Sequence, residues 1–149
     1  MIKTFRGKMS TGDTQRIRLS TNNGLTGYRI VKFNVMPTKF WNGDYESTFI
    51  ISKNPLPDVT SPLAPNDTVD FTDPNVIAAS IWSSRGAAET YTEDLTVIMD
   101  SMKFNQDIYI SYYDTKTNDG QNYMVELEQV KLDLSEATVA TLKDMRGRE

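Results

Sequence analysis

"FNQDIYISYYDTKTNDGQNYMVELEQVKLDL", residues Phe104 to Leu134, is the most strongly patterned stretch of the chain. Ile108, Ile110 and Tyr112 alternate with Tyr109 and Tyr113, as the two faces of a strand require. The segment Asp114 to Gly120 reads as a hairpin turn, because Asp119 and Gly120 tolerate the left-handed backbone such a loop needs. The return strand sets Tyr123, Val125 and Leu127 on one side, after which Val130, Leu132 and Leu134 take over the apolar role. Strand side chains alternate strictly, so this change of parity predicts a bulge or bend near Glu128 and Gln129. A bent strand of this kind can serve two sheets, which points to a sandwich.

Working outward, "RIRLS" (Arg16 to Ser20) alternates as a half-buried strand and ends in the turn residues "TNNG". In "GYRIVKFNVMP" (Gly27 to Pro37), Val31, Phe33 and Val35 fall on one face and Tyr28, Ile30 and Lys32 on the other, predicting a central strand stopped by Pro37. "STFIISK" (Ser47 to Lys53) and "LTVIMD" (Leu95 to Asp100) read as further strands. Between Asn54 and Thr68 four prolines exclude a sheet interior and predict a long surface excursion. "DPNVIAASIW" (Asp73 to Trp82) predicts a helical turn capped by Asp73 that runs into a strand.

The two ends look different. Met1 to Thr14 is polar and weakly patterned, which predicts an arm that becomes ordered against a partner or the domain surface. At the other end "SEATVATLKDMR" offers Ser135 as an N-cap and spaces Val139, Leu142 and Met145 about one turn apart. The expected organisation is an N-terminal arm (1–14), an all-β antiparallel sandwich of jelly-roll type (15–134), and a short C-terminal helix or extended tail (135–149) that either caps the fold or docks its Val139, Leu142 and Met145 side on a neighbour. An up-and-down barrel is the alternative architecture.

The chain has 149 residues, a length suited to one core, and its 16 basic against 20 acidic residues give a net charge of -4. That balance argues against nonspecific duplex binding, so nucleic acid is not an expected partner. No stretch reaches the length of a membrane span, and the opening residues carry too short an apolar run for a signal peptide. There is no cysteine and no histidine, which removes disulfides, thiolate nucleophiles, histidine-based triads and the common zinc ligand sets.

The remaining candidates for chemistry each have a plainer reading. Glu126 and Glu128 share a strand face as a solvated surface would, with no cleft implied between them. "DTKTNDG" lacks the calcium-loop pattern, since Lys116 and Asp119 stand where a ligand and a glycine are needed. Asp67, Asp70 and Asp73 fit turns better than a cation site, and Tyr109, Tyr112, Tyr113 and Tyr123 fit cross-strand pairs better than a stacking platform. Phe40, Trp41 and Tyr45, set around Asn42 and Gly43, are too aromatic for a purely solvated loop and read equally as a core plug or an interface anchor; together with Val139, Leu142 and Met145 they are the candidate partner-binding residues. No catalytic residue, cofactor site or metal site is expected.

In this order, "GYRIVKFNVMP", "VDFTDPNVIAAS", "FNQDIYISYYDT" and "NYMVELEQVKLDLSEATVATLKDMR" resemble a family of small proteins encoded by marine tailed bacteriophages, the ending "LDLSEATVATLKDMR" most of all. The resemblance runs from Gly27 to Arg146. It implies a non-enzymatic structural component of the virion, first an outer capsid decoration or cement protein that binds the major capsid protein and copies of itself. A tail, adaptor or fibre-associated protein is the alternative, and a carbohydrate-binding sandwich a more distant one.

Overall fold

The computed structural model describes residues 1–21, 23–38, 45–56, 69–84, 92–115 and 120–146. Eight strands precede one helix: β1 (Ile2–Met9), β2 (Thr14–Ile17), β3 (Thr26–Pro37), β4 (Tyr45–Ser52), β5 (Val76–Ser84), β6 (Thr92–Ile98), β7 (Ile108–Asp114), β8 (Gln121–Lys131) and α1 (Leu134–Arg146). They form two antiparallel sheets, one of three strands in the order β1-β8-β3 and one of five in the order β2-β7-β4-β5-β6. β1 pairs with β8, β2 with β7 and β4 with β5, while β6 lies alongside β3. These pairings nest around the middle of the chain, which is the connectivity of a jelly roll.

The inner faces meet in one apolar core. Phe49 of β4 stands at its centre, with Tyr112 at 4.5 Å, Tyr123 at 5.9 Å and Phe33 at 6.1 Å between ring centroids. Ile108, Ile110 and Tyr112 face inward and are buried, as the alternation of β7 predicts. Between the sheets, Tyr28 and Phe104 exchange both backbone hydrogen bonds at 2.8 and 2.9 Å and close the gap beside β3.

The expected bulge near Glu128 and Gln129 is not there. β8 pairs without interruption from Gln121 to Lys131, and the extra residue sits in β3, where the register shifts between Ile30 and Lys32. Tyr28 and Ile30 therefore share the buried side with Phe33 and Val35, although two-residue alternation through Val31 separates them. The parity change in β8 has a different cause. Its outward residue Val130 and the following Leu132 lie under α1, in a small second core with Leu25, Ala137 and Ala140. One strand is thus apolar first toward the sandwich and then toward the helix.

Three further expectations change. Of the two expected ways of ordering residues 1–14, the structure shows the domain's own surface, and they form a strand of the sandwich instead of a separate arm: β1 pairs with β8 along its whole length and Met9 is fully buried. The weak pattern of β1 reflects an edge strand, whose inward positions include Lys3 and Gly7. Lys3 points its Nζ at the ring of Tyr28, 5.6 Å from the centroid and 3.4 Å from the hydroxyl. Asp73 caps a tight turn instead of a helical one, accepting from Asn75 N at 2.9 Å, and β5 begins at Val76. The helix is capped by Asp133 rather than Ser135: Asp133 accepts from Glu136 N at 2.7 Å, and these hydrogen bonds lower its pKa.

Candidate interaction site

α1 starts at Leu134 because Asp133 satisfies the first free amides, and it docks through small residues. Ala137 and Ala140 pack on Leu132, so the helix sits close to the sheet. Asn105, fully buried, donates to Gly24 O at 3.0 Å, Ala137 O at 3.3 Å and Thr141 Oγ1 at 2.7 Å, which ties the helix to the turn before β3. Gly27 allows this approach, because a Cβ there would stand 2.9 Å from the Leu132 side chain. The larger apolar side chains are left outside. Leu134, Val139 and Leu142 are 76%, 51% and 55% exposed.

A shallow groove of about 490 Å3 runs between α1 and the segment before β7, lined among others by Met102, Val139, Lys103 and Lys143. Lys103 and Glu136 form an ion pair across it at 3.5 Å. An apolar strip rimmed by charges is the composition of an interface. Of the expected partner-binding residues, Val139 and Leu142 come together on this helix. Met145 lies on its last turn, and Tyr45 opens β4 opposite Ser84; neither side chain is described. Phe40 and Trp41 lie outside the described residues. The aliphatic spacing signalled Val139 and Leu142, but the exposed Leu134 was hidden because it continued the run of strand residues.

The other candidates take structural roles. Glu126 and Glu128 face outward, where Arg29 Nε donates to Glu128 Oε2 at 2.9 Å. Asp70 accepts from Thr72 N and Oγ1, which lowers its pKa, and so builds a turn. Asp67 and the tip of the β7–β8 turn lie outside the described residues. Tyr112 and Tyr123 are core residues bonded to Asp114 at 2.6 Å and Gln15 at 2.7 Å, whereas Tyr109 and Tyr113 occupy the opposite face, so the four make no common platform. Among the described residues no group of acidic side chains could hold a metal ion.

The strongest electrostatic feature is a clasp that the sequence did not advertise. Asp107, just before β7, accepts from Leu19 N at 2.7 Å, Ser20 N at 2.9 Å and Arg16 Nε at 2.7 Å. Burial pushes its pKa up, but the amides and the guanidinium outweigh that and hold it at about 2.

No protein-family model matches this chain, and no curated protein matches it. Among solved structures, VP1 of the Trichodysplasia spinulosa-associated polyomavirus, determined in complex with 3'-sialyllactose, is similar with a TM-score of 0.41 and 9% identity over 86% of this chain and 93% of that one. A likeness of this size concerns architecture alone.

Proposed function

We propose that this chain is a non-enzymatic structural protein of a tailed-phage virion, an outer decoration or cement subunit that binds the major capsid protein and neighbouring copies of itself. The observation that carries the reading is α1, clamped to the domain by its alanine side while Leu134, Val139 and Leu142 stand in solvent. A jelly roll that holds such a strip on a formed helix presents an adhesive surface that need not order its backbone on docking. The sequence resemblance from Gly27 to Arg146 supports the same role. In a particle, many copies make weak individual contacts sufficient through avidity. The tyrosines divided between core and surface speak against a saccharide-stacking platform.

The test is to purify particles of the phage that encodes the chain, quantify the protein by mass spectrometry and locate it by immunogold labelling. Label distributed over the capsid, with many copies per particle, is the expected result. Label confined to the tail would move the protein to the alternative virion position. Absence from particles would remove the proposal.

A further inference from the structure

Among the described residues, α1 covers one end of the outer face of the three-stranded sheet, while Arg6, Lys8, Asn34, Met36 and Asn122 on that face are exposed. Strand register sets Arg6, Met124 and Asn34 side by side across β1, β8 and β3, with Lys8, Asn122 and Met36 in the next row. Arg6, Asn34, Met36, Asn122 and Met124 line a shallow cavity of about 660 Å3, and Lys8 stands beside it as the cross-strand neighbour of Asn122. Met36 is 67% exposed at its rim, and Met124 is half-buried in its floor.

The charges on this face are unevenly matched. Arg29 is held by Glu128, and Lys32 stands opposite Glu126 in the register. Arg6 and Lys8 instead have Met124 and Asn122 as cross-strand neighbours. The Arg6, Asn34 and Asn122 side chains make no hydrogen bond or ion pair among the described residues. The surplus is opposite in sign to the chain's net charge of -4. An isolated basic spot on an acidic molecule attracts an anionic surface in one orientation and lets the rest of the chain repel it in others.

We propose that this cavity is a docking site for an acidic, partly apolar segment of another protein, with Arg6 and Lys8 pairing its carboxylates and Met36 and Met124 receiving its apolar side chains. Arginine and methionine are enriched in interface cores, and the flexible thioether adapts to an irregular partner. Nucleic acid fits less well, because the chain carries a net charge of -4 and this face offers a small group of cations instead of a long basic stripe. The inference goes beyond the virion reading, and its test uses no particle.

The probe is a short peptide of glutamate with interspersed leucine, titrated into the 15N-labelled chain, beside short duplex DNA and the chain alone at rising concentration. The peptide is expected to shift amides of Gly7, Asn34 and Met124, and R6E with K8E should weaken binding about tenfold or more at low salt. Should that double variant lose its fold, M36S, at an exposed side chain, is expected to weaken binding about threefold instead. I81S, a charge-neutral change at an exposed side chain of the five-stranded sheet, should leave affinity unchanged. Shifts confined to the helix groove, no peptide binding, tighter binding of DNA at this face, or self-association abolished by R6E would each overturn the proposal.

Discussion

Asp107 shows how much a single carboxylate can organise when its hydrogen bonds come from separate segments. It is only 4% exposed at the side chain and joins Arg16, Leu19 and Ser20 to the start of β7. Its folded pKa of about 2 lies below the ordinary value of about 3.9, so the native state favours the ionised form. The resulting stability is present above about pH 5, and it is lost as pH falls toward 2, about 2–3 kcal/mol in all. Urea unfolding should therefore show D107N less stable than the parent by about 2–3 kcal/mol at pH 7, with the gap narrowing at pH 3. Equal gaps at the two pH values would contradict the clasp. At Gly120, φ is +71° and a Cβ would stand 2.5 Å from the carbonyl oxygen of Met9. G120A should lose about 3 kcal/mol or fail to fold, as thermal unfolding would show, since both strain and a backbone clash oppose it.

Among the elements, α1 separates what holds the domain together from what it presents. N105A removes the amide whose two N–H groups are shared among Gly24, Ala137 and Thr141 and should cost about 2 kcal/mol, with faster amide exchange in α1 than in the sheets. V139D and L142D, on the exposed side, should stay within about 0.5 kcal/mol of the parent in thermal unfolding yet lose capsid association under the proposed function. Much at this level was legible in the sequence. The alternation of Ile108, Ile110 and Tyr112 located β7 and its buried face, and the 3.6-residue spacing located α1. What could not be read was long-range. Nothing local says that Val31 is an inserted residue, or that Val130 and Leu132 turn apolar because a helix lies over them. Nor does anything local say that Asp107 would meet Leu19 and Ser20, which lie 88 and 87 residues away. The exposed Val139 and Leu142 were legible as an aliphatic spacing, but which side of the helix the domain itself consumes depended on Asn105 and the alanines.

For the molecule as a whole, the nested order joins the first strand to the last. Residues 1–14 therefore belong to the sandwich, and deletion of β1 should abolish cooperative thermal unfolding, whereas deletion of 135–149 should leave a cooperative but weakened sandwich because the helix has its own small core. Circular dichroism melts of the two truncations would distinguish these outcomes. The sequence favoured the jelly roll through its many short strands and loop chemistry, yet the pairing of β1 with β8 is a contact across nearly the full chain, invisible to any window of neighbouring residues. Lys3 adds a consequence for handling and storage. An ammonium turned inward at a border strand spoils the flat hydrogen-bonding rim on which foreign strands could zip. Dense stocks should accordingly stay clear of fibrils until that lysine is replaced by valine, when thioflavin fluorescence should climb.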